Sequence, residues 1–168
     1  MPKIVPLSRV AADDVETLLD AAFGADRKAR TAYKMRAGTR AIDLLSFAAL
    51  AEDGTLIGSL QSWPVALETE EGKKIPMTLV GPVAVSPDLQ RGGIGRKLME
   101  RLMAAALNHG HDAVLMIGDP EYYGRFFGFS ADATQNWSIP GPVERRRLLA
   151  NITREAGIPA EGRVVPFP

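Results

Sequence analysis

The chain has 168 residues, and its apolar content of 46% and charged content of 24% are typical of a folded, water-soluble protein with one core. Its 20 acidic and 20 basic residues give a formal net charge of zero, which argues against a nucleic-acid partner because such proteins usually carry a basic excess. The length predicts a single domain over residues 1–168. No segment is apolar for long enough to span a bilayer, so we expect no membrane partner. The N-terminal segment lacks the apolar core of a signal peptide, so we expect a cytoplasmic location.

The beginning of the chain predicts one short strand and one helix. Ile4–Leu7 has the composition of a strand. Apolar residues at helical spacing predict a helix over residues 12–24. Asp13 and Glu16 have the spacing of a capping box, and Gly24 is a typical C-terminal stop.

The next part predicts a second helix and then two hairpins. A more basic helix is expected over Arg27–Arg36, ending near Gly38. Residues 44–63 then predict two strands joined by a turn at Asp53-Gly54. A second hairpin follows, with its turn in "ETEEGKK" and its return strand in "IPMTLVGPVAV".

The centre of the chain predicts a β-α-β crossover. An apolar stripe that starts at Ile94 predicts a helix ending at Gly110, and Ala113–Gly118 predicts a strand buried on both faces. Asp119 then has the character of an N-cap and Gly128 of a stop, which predicts a helix of about two turns. Helices, antiparallel strands and this crossover together indicate an α/β (α+β) domain.

The tail gives weaker signals. "QNWSIPGPVE" predicts a proline-bounded loop, "RRLLANIT" either a strand or a short helix, and "GRVVPF" a weak final strand.

Several kinds of chemistry are disfavoured by the absence of cysteine, which removes disulfides, thiolate zinc sites and cysteine nucleophiles. The only histidines, His109 and His111, lie two residues apart, which does not match a helical metal pair. We interpret both as turn residues at a helix end. We therefore expect neither a metal site nor serine-histidine hydrolysis.

The segment "SPDLQRGGIGRKLME" places three glycines at the start of a helix. Glycine costs roughly 0.5–1 kcal/mol relative to alanine in regular structure, so the cluster needs a reason. A strand, a glycine-rich turn and a helix start present backbone N–H groups and the positive end of a helix dipole, which suit phosphate. A Walker loop is excluded because Arg96 follows Gly95, and a dinucleotide fingerprint would need glycine where Leu98 stands.

"QRGGIG" instead resembles the pyrophosphate-binding signature of GNAT-type N-acetyltransferases, which use acetyl-coenzyme A. The lead-in "GPVAVSPDLQ" and the later "YYGRFFGF" are also similar to that superfamily. The resemblance covers roughly residues 3 to 130. It implies a GNAT acyltransferase fold with a mixed, mostly antiparallel central sheet flanked by helices, splayed central strands and a β-α-β unit that binds acetyl-CoA.

The resemblance also implies a set of cofactor-binding residues. In the superfamily two adjacent strands splay and the pantetheine arm lies between them; Gly81-Pro82 favours a bulge at that point. The backbone of Val83 and Val85 is thereby assigned to the pantetheine and thioester. The pyrophosphate is assigned to Gln90, Arg91, Gly92, Gly93, Gly95 and Arg96.

Acyl transfer to an amine needs a proton for the departing thiolate, and the superfamily often uses a tyrosine of the short helix. The familiar position, four residues before the glycine of glycine-phenylalanine, is occupied here by Gly124. Tyr123, one residue earlier, is our candidate acid and Tyr122 the alternative. Both tyrosines would otherwise be core aromatics.

The sequence identifies no general base. The carboxylates near the expected site are Glu68, Glu70, Asp119 and Glu121. Asp119 is better explained as a helix cap and the hairpin glutamates as surface residues. A water chain, or an amine that arrives neutral, would then suffice.

Some residues have both a functional and a structural interpretation. Trp63 and Trp137 are expected in the core, although Trp63 would also suit an acceptor pocket. Arg145-Arg146-Arg147 is expected to be a solvated face rather than a cofactor contact. By resemblance, the helices at 13–23 and 27–36 would form part of the acceptor wall.

We therefore expect a cytoplasmic N-acetyltransferase that moves an acetyl group from acetyl-CoA to a primary amine by direct attack in a ternary complex. Because many relatives are dimers, the resemblance also makes a homodimer a candidate state. The acceptor is expected to be a small-molecule or peptide amine, and no metal is needed. The alternative is a non-catalytic acyl-CoA-binding or sensor domain of the same fold. A weaker alternative transfers a longer acyl group, or acylates a hydroxyl.

Overall fold

A computed structural model describes residues 1–153 and 157–168 of the chain. The described residues form two compact units, and the prediction of a single domain over the whole chain stays a prediction. The first unit combines the segments Met1–Lys28, Ala41–Ser62 and Gly81–His109. The second unit combines Ala29–Arg40, Trp63–Val80 and Gly110–Pro168.

One mixed sheet of 8 strands contains all the strands of the described residues. The strands are β1 Lys3–Pro6, β2 Phe47–Leu50, β3 Leu56–Glu68, β4 Lys74–Val85, β5 Ala113–Ile117, β6 Asn136–Ser138, β7 Leu148–Ile152 and β8 Glu161–Pro166. Their order is β1-β2-β3-β4-β5-β7, while β8 pairs with β3 and β6 pairs with β8. The β4–β5 and β6–β8 pairs are parallel, whereas β1–β2, β2–β3, β3–β8 and β5–β7 are antiparallel. The predicted mixed, mostly antiparallel sheet is confirmed.

The helices flank this sheet. They are α1 Ala12–Phe23, α2 Thr31–Met35, α3 Ile94–Asn108 and α4 Pro120–Phe127. Short 3-10 turns lie at Leu7–Arg9, Arg27–Ala29, Asp43–Leu45, Pro87–Leu89 and Arg145–Arg147. None of the helices in the described ranges is long and apolar enough to cross a membrane.

The apolar pattern of α1 decides how the first unit packs. Val15, Leu18 and Leu19 are buried and contact Ala84 of β4. The helix ends at Gly24 as predicted, but the predicted capping box is wrong. Ala11 is the N-cap and no side chain caps the helix, because Glu16 forms an ion pair with Arg27 instead.

The predicted helix over Arg27–Arg36 is also wrong in part. A 3-10 turn at its beginning is separated from α2 by Arg30, whose backbone is extended. The cause lies in Arg27, which is only 3% exposed and bonds Asp20 of α1 at 3.0 Å as well as Glu16. These ion pairs hold Arg27 against α1, and the chain does not continue as one helix through the extended Arg30.

The two predicted hairpin turns are confirmed. Gly54 lies in the first turn and Gly72 in the second, both with positive φ, in the region that favours glycine. The predicted helix from Ile94 to Gly110 and the buried strand β5 are confirmed as well. β4, α3 and β5 therefore form the expected β-α-β crossover, since β4 and β5 pair in parallel.

The tail contains more regular structure than its composition predicts. β6 lies within the predicted proline-bounded loop, where the fully buried Trp137 donates its indole N–H to Pro159 O at 3.1 Å. "RRLLANIT" forms a 3-10 turn followed by β7, and the predicted final strand is β8. Trp137 is thus the core residue that the sequence indicates; it packs in one cluster with β4, β5, β7 and β8.

Candidate functional site

The glycine-rich loop connects β4 to α3 within the first unit. After β4 ends at Val85, the Leu89 N–H donates to Ser86 O at 2.9 Å and the Gly92 N–H donates to Leu89 O at 3.1 Å. Gly93 then adopts φ 76° and ψ 13° and forms the N-cap of α3. The loop is therefore a compact series of turns that ends at a helix N-terminus.

The first amides of α3 lie where the helix itself supplies no acceptor. The Lys97 N–H donates to Gly93 O at 3.1 Å, and no side chain caps the helix. Helix geometry leaves the preceding amides, among them those of Ile94 and Gly95, without intrahelical acceptors. The 15-residue helix also places the positive end of its dipole here, which favours an anion.

The three glycines of the loop have different explanations. The positive φ of Gly93 favours glycine whatever binds there. Gly92 and Gly95 have no such requirement: a Cβ would lie 3.4 Å from Leu89 O at Gly92 and 3.7 Å from Val85 Cγ2 at Gly95, both ordinary contacts. The internal packing of the described residues therefore leaves the absence of side chains at 92 and 95 unexplained.

The strand that leads into the loop presents two different faces. Ala84 is buried against α1, while its neighbours Val83 and Val85 are only half-buried, as expected from the alternation of side chains along a strand. Gly81 has φ 135° and its peptide bond to Pro82 is cis. The half-buried valines are the residues that the sequence assigns to pantetheine.

The parallel ladder between β4 and β5 is short. Within the described residues it consists of Thr78↔Val114 and Leu79↔Leu115, although β4 extends to Val85. The pairing thus ends before Gly81. This is the position at which the sequence predicts that the strands separate.

Charged and polar side chains lie in the loop and at the beginning of α3. Gln90, Arg91 and Arg96 are exposed, and Arg96 Nε lies 3.2 Å from Glu100 Oε1 one helical turn along α3. The structure therefore brings together, in the first unit, all the residues that the sequence assigns to the cofactor. Tyr123 belongs to the second unit.

Tyr123 lies on α4, a helix with the predicted limits. Asp119 caps it by accepting the Glu121 N–H at 3.0 Å, and Gly128 ends it with φ 71°. Gly118, at the end of β5, has a role that the sequence reading missed. A Cβ there would lie 2.7 Å from Tyr123 Cε2, so glycine lets the ring lie directly against the backbone.

The Tyr123 ring belongs to an aromatic group on and beside α4. It meets the Tyr122 ring edge to face, with centroids 4.9 Å apart, and the Phe127 and Phe129 rings at 6.3 Å and 6.4 Å. The structural interpretation of the tyrosines, packing against aromatic neighbours, is therefore observed. It leaves room for chemistry, because the Tyr123 hydroxyl has no hydrogen-bond partner in the part of the chain that the structure describes.

Burial raises the pKa of Tyr123 to about 12, with smaller contributions in the same direction from Tyr122 and Asp119 and an opposing one from Arg147. The phenol is therefore neutral at physiological pH and still holds its proton. That is the state that a proton donor requires.

Packing explains why Tyr123 stands one residue before the position that the family's tyrosine usually occupies. Gly124 occupies the familiar tyrosine position, and a Cβ there would lie 3.0 Å from Phe129 O. Close approach of the chain after the helix thus disfavours a side chain at this position, because the Phe129 carbonyl would have to move by a few tenths of an ångström. Tyr123 is the nearest preceding residue that can carry one.

Each candidate carboxylate already has a structural role or lies on the surface. Hydrogen bonds from Glu121, side chain first and backbone second, lower the pKa of Asp119, which caps α4. Glu121 pairs with Arg146. Glu68 pairs with Arg163 and lies 3.8 Å from Lys74 Nζ, while Glu70 is exposed on the same hairpin. None of them stands out as a base.

The remaining candidates take structural positions. His109 caps the C-terminus of α3, and His111 Nδ1 lies 2.9 Å from Thr78 Oγ1. Arg145–Arg147 is exposed as expected, but Arg145 bonds the carbonyl oxygens of Thr134 and Trp137. In the described ranges, no group of three or more histidine, aspartate or glutamate side chains is arranged to hold a metal ion.

Trp63 is partly buried against the core of the second unit, and the guanidinium of Arg36 stacks on its ring at 3.8 Å. Core packing is thus confirmed for Trp63, with one face of the ring occupied by a cation. The sequence contains no local signal for Arg36, because its stacking depends on a strand and a helix that are distant in the chain.

Comparisons with known proteins point to one family. The family model of the acetyltransferase (GNAT) domain matches residues 3–131. The uncharacterized N-acetyltransferase YhbS of Escherichia coli K12 is 27% identical over 124 residues, which is 74% of this chain and 71% of that protein.

Solved structures give the same fold. The crystal structure of E. coli YhbS in complex with CoA has a TM-score of 0.78 at 23% identity, covering 99% of this chain and 89% of that one. A GNAT family acetyltransferase from Brucella melitensis in complex with acetyl-CoA has a TM-score of 0.66 at 24% identity, covering 99% and 96%. With the family model spanning most of the sequence, the chain belongs to the GNAT acetyltransferase family.

Proposed function

We propose that the chain is an N-acetyltransferase that moves an acetyl group from acetyl-CoA to the primary amine of a small molecule or peptide. Family membership supports acyl transfer. The observation that carries the cofactor assignment is the pair Gly92 and Gly95, where neither φ nor packing within the described chain requires glycine. A ligand that must touch the backbone explains both positions.

The diphosphate of the cofactor is assigned to the loop. The amides of Ile94 and Gly95 supply donors at the positive end of α3, and Arg91 and Arg96 add charge beside them. Gly92 contributes the absence of a side chain, since its own N–H already donates to Leu89 O. The YhbS and B. melitensis structures, which contain CoA and acetyl-CoA, support the same choice of ligand.

The pantetheine and thioester are assigned to the backbone of Val83 and Val85. The support is the short β4–β5 ladder, which ends at Leu79 and leaves the rest of β4 beyond its pairing with β5. Bound acetyl-CoA would supply an activated acyl group as a thioester. A main-chain N–H of β4 would then polarise the thioester carbonyl.

Tyr123 is assigned the role of general acid. The amine nitrogen attacks the carbonyl carbon, the carbon–sulfur bond breaks, and the Tyr123 hydroxyl gives its proton to the departing sulfur. The nitrogen of the new amide releases one proton to water, and the Tyr123 phenolate takes a proton back from water. A cysteinyl acyl-enzyme is not used, since the chain has no cysteine. The amine is taken up neutral and its surplus proton goes to water, so no side chain is assigned as a general base. A cytoplasmic location and a homodimer stay predictions from the sequence.

Two measurements test the proposal together. Calorimetry with CoA tests the loop, and we expect binding in the micromolar range that falls when Gly92 is replaced by valine. Thiol release from acetyl-CoA across a panel of amines, polyamines, amino acids and peptides tests catalysis. The expected result is release that depends on a particular amine, with the acetylated amine as the product.

The same measurements separate the alternative function. If CoA binds but no amine stimulates thiol release, the chain is a non-catalytic acyl-CoA-binding domain and the enzyme assignment fails. If CoA does not bind, or binds the valine variant equally well, the loop assignment fails.

A further inference from the structure

Arg36 lies between two aromatic rings in the second unit. Its Cζ atom is 3.8 Å from the ring centroid of Tyr33 and 3.8 Å from that of Trp63. Stacking on both sides covers the two faces of the planar guanidinium. Cation–π attraction from both rings favours this arrangement, so the side chain is held in one position.

The backbone beneath Arg36 is fixed as well. Thr31, at the beginning of α2, donates its hydroxyl to Pro142 O at 2.7 Å, and Gly141 approaches the same side chain closely enough to exclude a Cβ. Met35, at the end of α2, is fully buried. Both ends of this short helix are therefore anchored, and Arg36 follows directly as its C-cap.

A guanidinium stacked in this way can bind only along its own plane. It carries five N–H donors in a flat fork, and any single partner engages only part of them. A carboxylate offers two oxygens in one plane, which matches the fork and forms two parallel charge-assisted hydrogen bonds. An arginine held rigidly between two rings thus presents the donor groups of a carboxylate-binding site.

The location is consistent with an acceptor site. Met35, Trp63 and Ile117 contact one core cluster, and Ile117 directly precedes Gly118, on which the Tyr123 ring lies. The stacked arginine and the candidate acid are therefore supported by the same core.

We propose that Arg36 selects the acceptor by binding its carboxylate, so that the substrates are amines that also carry a carboxylate, such as amino acids. This inference rests on the proposed function, because it gives the acceptor class of the same reaction. Tyr33 and Trp63 are positioning residues that hold the guanidinium.

The test compares α-, β- and γ-amino acids with their carboxamides as acceptors, at equal concentrations of the neutral amine. We expect the wild type to prefer the carboxylates by about 10- to 100-fold in kcat/KM, the range of one charge-assisted bidentate pair. Arg36→Met should remove this preference by raising KM for the carboxylates much more than for the carboxamides, with CoA affinity retained. Arg36→Lys should recover only part of it, because a lysine lacks the fork. Lys34→Met, on the exposed side of α2, is the matched control for loss of one charge and should retain the preference.

A binding measurement makes the outcome independent of turnover. N-acetyl amino acids and their carboxamides are titrated into the CoA complex while tryptophan fluorescence is recorded, because Trp63 lies against the guanidinium. The carboxylates should change the emission of the wild type and not that of Arg36→Met.

Each outcome decides something definite. If amines without a carboxylate are acetylated as well as or better than amino acids, or if amino phosphonates are preferred, the inference is wrong while the proposed function stands. If Arg36→Met weakens carboxylates and carboxamides equally, Arg36 is only structural and the inference is again wrong. If no amine is acetylated, the proposed function fails, and the fluorescence titration alone decides whether Arg36 binds a carboxylate.

Discussion

The glycine-rich loop between β4 and α3 and the region around α4 contain glycines for opposite reasons. Around α4, packing favours glycine at 118 and 124, since a Cβ would lie 2.7 Å from Tyr123 Cε2 at the first position and 3.0 Å from Phe129 O at the second. In the loop, Gly92 and Gly95 have room for a Cβ at 3.4 Å and 3.7 Å from its nearest neighbours. A glycine with an internal reason is evidence about the fold, whereas a glycine without one is evidence about a ligand.

The largest expected effect concerns the acid itself. Tyr123→Phe keeps the ring packing and removes only the hydroxyl, so kcat should fall by about 10²- to 10⁴-fold while CoA affinity stays unchanged. Tyr122→Phe is the matched control on the same helix and should retain most of the turnover. If Tyr122→Phe shows the loss and Tyr123→Phe does not, the acid is the other tyrosine.

The pH dependence sharpens the same assignment. The pKa of Tyr123 is raised to about 12, so its proton is retained throughout the range from neutral to moderately alkaline pH. Turnover should therefore rise with pH as the acceptor amine loses its proton, with no decline from Tyr123 until the pH approaches about 12. A fall in kcat between about pH 8 and 9 that Tyr123→Phe abolishes would contradict the burial of this phenol.

Gly118→Ala tests whether Tyr123 depends on its glycine. The added methyl would displace the ring, so we expect a loss of about 1–3 kcal/mol in the free energy of unfolding and a reduced kcat, with CoA affinity retained. Denaturant unfolding measures the stability. In a Tyr123→Ala background the same change should cost much less, because the contact is gone; an unchanged cost would show that the ring is not what Gly118 accommodates.

Gly95→Ala should move stability and binding in opposite directions. Alanine in the first turn of α3 should stabilise the fold by up to about 1 kcal/mol, whereas its methyl group should lower CoA affinity about tenfold. Gly93→Ala is the contrasting variant, since its φ of 76° strains alanine and stability should fall. Equal CoA affinity for wild type and Gly95→Ala would remove the amide of residue 95 from the site.

The smallest effect tests a buried hydroxyl on β3. Ser59 is fully buried and its Oγ has no hydrogen-bond partner within the described residues, so Ser59→Ala should raise the free energy of unfolding by about 1 kcal/mol. Ser62, equally buried on the same strand, donates to Leu45 O at 2.6 Å. Ser62→Ala should therefore destabilise by a similar amount, and a common sign for both variants would refute the distinction.

The sequence by itself determined the features that depend on local chemistry. Hydrophobic periodicity identified α3 and β5, turn residues located both hairpins, and Asp119 with Gly128 marked the limits of α4. The loop motif identified the family that the family model confirms. Each of these signals lies within a few consecutive residues, which is why no tertiary information was needed.

Tertiary structure decided the features that depend on distant contacts. Ion pairs between Arg27 and α1 divided a predicted helix, and β6 formed because β8 was available as its partner. Gly118 and Arg36 gained their roles from residues brought beside them by folding. Composition and spacing indicate the local structure that a segment favours. Whether that structure forms depends on the rings, carboxylates and strand edges that folding brings beside it.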